Sequence, residues 1–152
     1  MDSTALLVAA TLSAGTVLAI ASLGLLINER AGELYRKAYG AVDSHYPAMI
    51  DADTIMLVGS APCFPYGTID PIEAIGALAQ RRGIWMHVDA CVGGYLAPFV
   101  KMIGRDIPTF DFTVPAVHSM SADMHKFGFC PKPASTVFYR SPELAKFHHF
   151  DV

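Results

Sequence analysis

The chain has 152 residues, which suits a single domain and excludes a large multidomain enzyme. Hydrophobic residues make up 53% and charged residues 16% of the sequence, and this excludes intrinsic disorder because ample apolar surface is available for burial. The net charge of −3 provides no basic field for nucleic acid, and three cysteines without a CxxC pair form neither a disulfide framework nor a zinc ribbon.

The first predicted element is an apolar run, Ala5–Ile27, in which 17 of 23 residues are Ala, Val, Leu or Ile. A run of this length can cross a bilayer. Arg30, Arg36 and Lys37 follow it, so a membrane anchor would place the rest of the chain in the cytosol. The alternative is a buried helix of a cytoplasmic α/β domain. Residues 1–28 are therefore interpreted as an apolar segment that is either an anchor or a buried helix.

Residues 29–53 are predicted to form a short helical connection before a strand–helix–strand unit. Thr54–Gly59 is a short run of strand-forming apolar residues, which is typical of a strand buried on both faces in a parallel sheet. Asp70–Arg82 has the pattern of a helix, with Asp70 as its N-cap and Gly83 as its end. Ile84–Val88 is the next predicted buried strand.

Downstream of this unit the pattern predicts three more kinds of element. Gly93-Gly94 is expected to open a loop, and Tyr95–Ile103 to form a short helix. Strands are predicted at Ala116–Ser121 and Ser135–Tyr139, and a helix begins at Pro142. Strands that alternate with helices predict an α/β fold with a mostly parallel sheet.

Polar groups follow three of the predicted strands. Ser60 comes after the first strand, Asp89 after the second, and Asp123 to Lys126 after the third. Ligands of open α/β sheets bind outside the carboxyl ends of the strands, so these groups can converge. A lysine in an apolar setting can act as a nucleophilic amine, and a carboxylate beside a pyridine nitrogen keeps it protonated.

This combination suits pyridoxal phosphate, which needs a lysine, an acid for its ring nitrogen and donors for its phosphate. The candidate donors to ring or phosphate oxygens are Ser60, Ser121, His125 and the backbone N–H groups near Gly15 and Thr16. The Phe64 and Tyr66 side chains are expected to pack within the turn after the first strand, or else to line a substrate entrance.

Three stretches resemble one family: LVGSAPCFPYGTIDPIEAIGALA, HVDACVGGYLAPF and FDFTVPAVHSMSADMHKFGFCPK. They are similar to the pyridoxal-phosphate-dependent group II decarboxylases, in the branch of sphingosine-1-phosphate lyase. The resemblance extends from about Thr54 to Phe150. It implies that residues 54–152 are part of a large domain of the aspartate-aminotransferase type (fold type I), which in that family works as a homodimer with active sites at the subunit interface.

The resemblance also implies roles for individual residues. Lys126 would be the Schiff-base lysine and Asp89 the partner of the pyridine nitrogen. His125 and Asp123 would lie near the phosphate or its supporting shell, Ser60 near the ring, and Cys91 against the ring face. The family's reaction is carbon–carbon cleavage of a phosphorylated long-chain amino alcohol, while related members decarboxylate amino acids.

The chain departs from the pattern of the family in its length and in its phosphate loop. The family's catalytic chains are several times longer, so this chain is expected to be a truncated lyase or a catalytically inactive, membrane-tethered remnant. Ser13-Ala14-Gly15-Thr16 is only a partial match to the phosphate loop of the family.

A metal-dependent hydrolase is a further alternative function. Its candidate metal ligands are His87, Asp89, His118, Asp123 and His125. Their spacing is poor for a metal site.

Overall fold

The computed structural model describes residues 46–148, except for the side chains of Tyr46 and Phe147. Four strands and four helices follow one another in this range, and a 3₁₀ turn closes it. In chain order they are α1 Tyr46–Met49, β1 Met56–Ser60, α2 Ile72–Arg82, β2 Trp85–Asp89, α3 Gly93–Met102, β3 Ser119–Ala122, β4 Thr136–Tyr139, α4 Pro142–Ala145 and the turn Lys146–His148.

The strands form one sheet in the order β1-β2-β3-β4. β1 pairs with β2 and β2 with β3 in parallel, while β4 joins β3 as an antiparallel edge strand. The prediction of an α/β fold with a mostly parallel sheet is therefore confirmed. The predicted strands are also found, and their ends lie within three residues of the predicted ones.

The two faces of the sheet differ in what covers them. Met86 and Val88 of β2 are fully buried on one face, where α2 packs against β1 and β2 and α3 packs against β3. We call this the closed face. Trp85, His87 and Asp89 alternate with them on the other, open face, where the side chains are only half-buried. The hydrophobic core therefore lies on the closed face, between the sheet and its helices.

Helix α2 begins two residues later than the sequence predicts. Its first residue is Ile72, its N-cap position is Pro71, and no side chain caps it, so the prediction of Asp70 as the N-cap is wrong. The Asp70 carboxylate instead accepts a hydrogen bond of 2.7 Å from the backbone N–H of Ser60 and so fixes the end of β1. The predicted end is confirmed, since Gly83 closes the helix at φ 67°.

Helix α3 shows a second difference. Gly93 and Gly94 do not open a loop but form the first residues of the helix. A Cβ atom on Gly93 would lie 2.1 Å from the Ala61 carbonyl oxygen, and one on Gly94 would lie 2.5 Å from Ala122 Cβ. The two glycines thus allow the start of α3 to approach the carboxyl edge of the sheet.

Residue Arg140 fastens the segment before β3 to the end of β4. Its guanidinium donates hydrogen bonds to the carbonyl oxygens of Val117 at 2.7 Å, Val114 at 2.6 Å and Phe112 at 3.0 Å. These bonds satisfy carbonyl groups of an irregular segment that no strand pairs with.

Some predictions fall outside the described residues. They are the apolar run Ala5–Ile27, the partial phosphate loop with Gly15 and Thr16, and residues 29–45 of the predicted helical connection. Among residues 46–148 no helix has the length and apolar character needed to span a bilayer.

Candidate active site

The site is built on one transverse row of the sheet. Ser60 of β1 pairs with Asp89 of β2, and Asp89 pairs with Ser121 of β3. Paired residues of adjacent strands point to the same side of a sheet, so the three polar side chains share the open face at the carboxyl ends of the parallel strands. Three residues that the sequence places far apart are thus neighbours in one row.

Asp89 is held as a carboxylate at the centre of this row. Its Oδ1 accepts hydrogen bonds of 3.1 Å from the Cys91 backbone N–H and from the Ser121 hydroxyl. Burial raises the pKa of Asp89, but hydrogen bonds from Cys91 and Ser121 and the nearby His87 outweigh burial and leave it below its usual value. Asp89 is therefore an anion near neutral pH that is aimed along the open face.

The thiol of Cys91 is a neighbour of both the acid and the amine. It interacts with the Asp89 carboxylate and with the Lys126 amine. Burial raises the pKa of the thiol, so Cys91 is uncharged near neutral pH. Asp89 and Lys126 are thus brought together around a single small side chain, although 37 positions separate them along the chain.

A second carboxylate, Asp123, contacts the lysine directly. Lys126 Nζ lies 3.0 Å from Asp123 Oδ2, and the Ser135 hydroxyl donates a short hydrogen bond to Asp123 Oδ1. The Asp123 side chain is 12% exposed and that of Lys126 35%. The Ser135 bond, opposed by burial and aided by Lys126, lowers the pKa of Asp123, while Cys91 and Asp123 raise the pKa of Lys126.

His125 contacts a backbone carbonyl group and the Asp123 carboxylate. Its Nδ1 lies 2.7 Å from the Ala134 carbonyl oxygen, which also accepts the His125 backbone N–H at 2.9 Å. Its Nε2 is 3.6 Å from Asp123 Oδ2. Ala134 and Ser135 were not among the predicted site residues. No local pattern marks them, because only the antiparallel pairing of β3 with β4 brings them to this edge.

The remaining histidines of the open face and its edge are held by partners of their own. His87 Nδ1 lies 2.7 Å from the Ser119 hydroxyl, which also accepts the Trp85 indole N–H at 2.9 Å. His118 Nδ1 accepts the Met86 backbone N–H at 3.0 Å. Within residues 46–148 no three His, Cys, Asp or Glu side chains are grouped so that they could hold a metal ion.

The aromatic residues expected to pack within the turn after β1 do not do so. Phe64 is 86% exposed and Tyr66 72% exposed. On the loop that follows Lys126, Phe129 is 89% exposed and lies at φ 57°. Both loops therefore expose aromatic side chains beside the carboxyl edge.

Fold and site together define a class of enzyme, and comparison with known proteins gives the same class. The model of the pyridoxal-dependent decarboxylase conserved domain matches residues 51–151, and the chain belongs to this family. Its fold is accordingly the one that the family uses. A sphingosine-1-phosphate lyase of Burkholderia pseudomallei superimposes with a TM-score of 0.63 at 46% identity, over 72% of this chain and 24% of that chain.

Among curated relatives, two sphingosine-1-phosphate lyases are informative. That of Arabidopsis thaliana is 54% identical over 101 residues, which are 66% of this chain and 18% of the relative. That of Drosophila melanogaster is 44% identical over 126 residues, 83% of this chain and 23% of the relative. Only one residue follows the segment 51–151 that the family model matches. A match of 126 residues must therefore also include residues before residue 51. The chain spans about a fifth of the length of these relatives.

The residues present fit the cofactor that the family name states. Pyridoxal phosphate requires an amine for covalent attachment and an anionic carboxylate for its ring nitrogen. Lys126 and Asp89 are groups of these two kinds, and both interact with Cys91. Ser60 and Ser121 lie in the same row as Asp89 and offer hydroxyl groups toward the same face.

Proposed function

We propose that this chain is part of a pyridoxal-phosphate-dependent carbon–carbon lyase, in which Lys126 holds the cofactor covalently and Asp89 keeps its ring nitrogen protonated. The observation that carries the proposal is that Asp89 at the end of β2 and Lys126 just after β3 lie at the same carboxyl edge of the sheet, where the Cys91 thiol interacts with both.

The cofactor supplies an electron sink for the carbanion that bond cleavage leaves on the substrate. This chain's own residues supply the rest. Asp89 stays anionic through its bonds to Cys91 and Ser121. Lys126 would hold the cofactor through its amine after giving up a proton, and the same amine would move protons at the reacting carbon. Ser60, Ser121 and His125 are proposed as donors to the ring or phosphate oxygens, and so are the backbone N–H groups near Gly15 and Thr16.

We further propose a phosphorylated long-chain amino alcohol as the substrate, cleaved to phosphoethanolamine and a fatty aldehyde. The names of the relatives support this class, since the similar proteins are sphingosine-1-phosphate lyases. The exposed Phe64, Tyr66 and Phe129 give the carboxyl edge an apolar surface that suits a long alkyl chain. Decarboxylation of an amino acid is the second candidate, and the name of the matching family supports it.

The proposed cofactor site is tested by reducing the protein with borohydride in the presence of pyridoxal phosphate and mapping the labelled peptides by mass spectrometry. We expect the label on Lys126, with Lys37, Lys101, Lys132 and Lys146 as internal controls. Lys126→Arg should abolish the specific label, and Asp89→Asn should weaken binding of the cofactor without abolishing the label. Labelling spread over all five lysines would contradict the assignment.

The two candidate reactions are separated by their products. The full chain, loaded with cofactor, is given a phosphorylated sphingoid base or an L-amino acid, and aldehyde and carbon dioxide are measured. Aldehyde from the first substrate supports the proposed lyase, and carbon dioxide from the second supports a decarboxylase. A labelled Lys126 with neither product is the result expected for the inactive remnant.

Assembly and location are proposals as well. We propose a homodimer, supported by the many exposed apolar side chains on a chain that forms part of a family domain. We also propose that the catalytic part faces the cytosol and that residues 5–27 associate with a membrane, supported by the charge-free composition of that run. Ultracentrifugation with and without vesicles tests both, and a monomer that stays in the supernatant would contradict them.

A further inference from the structure

The carboxylate beside Lys126 is not the one that the proposed reaction uses. Asp89 and Lys126 both interact with Cys91, whereas Asp123 Oδ2 lies 3.0 Å from the amine itself. Asp123 is also the more buried of the pair, with 12% of its side chain exposed against 35% for Lys126. An ion pair with one partner shielded from water is screened less than a surface pair.

The Asp123 carboxylate is fixed before it meets the amine. Ser135, directly before β4, donates a hydrogen bond to Oδ1, and the Asp123 backbone N–H donates to the Cys91 carbonyl oxygen at 3.2 Å. Only Oδ2 is left to face Lys126 at 3.0 Å, with His125 Nε2 further away at 3.6 Å. The position of the Asp123 carboxylate is therefore fixed by its own hydrogen bonds, and the flexible side chain of Lys126 places its amine against it.

We propose that Asp123 is a positioning residue that holds the Lys126 amine as an ammonium in the cofactor-free chain and thereby sets the pH at which this lysine becomes a nucleophile. The inference rests on the proposed function, in which Lys126 is the attacking amine. The charged and titratable groups that face the amine are Cys91 after β2 and Asp123 after β3, with His125 beside the latter. Cys91 and Asp123 raise the pKa of Lys126, which agrees with this arrangement.

The chain contains a matched control in a second lysine–aspartate pair. Lys101 Nζ lies 4.0 Å from Asp111 Oδ2, and the two side chains are 44% and 36% exposed. The pair is longer and wetter than that of Lys126, and surface pairs of this kind contribute little. Asp111→Asn therefore removes one negative charge from the chain without changing the surroundings of Lys126.

The experiment measures acetylation of each lysine by acetic anhydride across pH 7 to 11, in the full chain without cofactor, by peptide mass spectrometry. In the unchanged protein the midpoint for Lys126 should lie above the ordinary lysine range. In Asp123→Asn it should move down, with labelling at pH 8 about tenfold faster, because an opposite charge at this distance changes a pKa by about one unit or more. Asp111→Asn should leave the Lys126 profile in place.

Each outcome decides the matter. A Lys126 midpoint at or below the ordinary range in the unchanged protein overturns the proposal even if Asp123→Asn does not fold. An unchanged profile in a folded Asp123→Asn variant, or an equal shift in Asp111→Asn, overturns it as well. Asp123→Glu should restore slow labelling, since it keeps the negative charge. None of these measurements involves cofactor, so a missing cofactor label on Lys126 would defeat the proposed function and leave the acetylation result standing.

Discussion

The closed and open faces of the sheet use the same strands for different purposes. On β2, Met86 and Val88 point into the core and are fully buried, while His87 and Asp89, their neighbours in sequence, lie half-buried among polar partners. Apolar burial on the closed face provides most of the stability. The open face carries acid, hydroxyl and amine groups, whose chemical use depends on where they lie rather than on how deeply they are buried. Stability and chemistry are thus separated by the two-residue period of a strand.

The largest expected effect in this comparison comes from the closed face. Ile72 is fully buried at the start of α2, and Ile72→Ala removes methyl groups from a closely packed region. We expect a loss of about 2–5 kcal/mol in the free energy of unfolding, because a cavity adds to the lost transfer free energy. Urea denaturation measures it. A loss below 1 kcal/mol would mean that the closed face is not the main source of stability.

A somewhat smaller effect is expected where α3 meets the carboxyl edge. In Gly93→Ala the new Cβ would lie 2.1 Å from the Ala61 carbonyl oxygen, so backbone has to shift. Overpacking of this kind costs about 1–3 kcal/mol. The matched control is Gly83→Ala, where the methyl group meets nothing within 4 Å and only the backbone at φ 67° opposes it. Equal losses in thermal melts would show that the contact with Ala61 is not tight.

Acid should weaken the fold through the histidines of the open face and its edge. Burial lowers the pKa of both His87 and His118, so the unfolded chain binds more protons than the folded one as the pH falls below the usual histidine value. The contribution of these two histidines to the free energy of unfolding is therefore fully present above that value and is lost as the pH falls from 7 toward 5. Urea midpoints across this range test it. The decline should be smaller in His87→Gln, and an unchanged slope would exclude His87 as a contributor.

The smallest effect is expected on the open face itself. Val58 of β1 is 51% exposed, and it pairs with His87 in the sheet. Val58→Ala should change the free energy of unfolding by less than about 1 kcal/mol, because the removed methyl groups are largely in water already. A loss equal to that of Ile72→Ala would mean that this side chain is covered in solution, for example in the proposed dimer.

The closed face was the more predictable half of the molecule. Apolar runs and a helix with an apolar stripe predict β1, α2 and β2. The carboxyl ends of the predicted strands also indicate that Ser60, Asp89 and Lys126 lie at one edge of the sheet. What failed was local detail that tertiary contacts decide. Asp70 accepts a hydrogen bond from Ser60 and does not cap α2. Gly93 and Gly94 are required by close contacts with the Ala61 carbonyl oxygen and Ala122, not by a turn.

Only one of the two main partners of Asp123 could be predicted from the sequence. Family resemblance assigned this residue to the phosphate side of the site, and that role stays a prediction. Its contact with Lys126 follows from three-residue spacing in a turn, but the bond from Ser135 depends on the antiparallel return of β4, for which the intervening residues give no signal. Pairing between distant segments, rather than composition, decides which side chain supports a charged group.

The row formed by Ser60, Asp89 and Ser121 has a consequence for how this region can vary in length. A single-residue insertion or deletion within β2 would rotate Asp89 into the core and bring Val88 or Ala90 to the surface that carries the chemistry. The loops before and after the strand can absorb such changes, because they do not alter which side each strand residue faces. Among natural variants of this chain, we therefore expect length differences in the connecting loops and none inside the second strand.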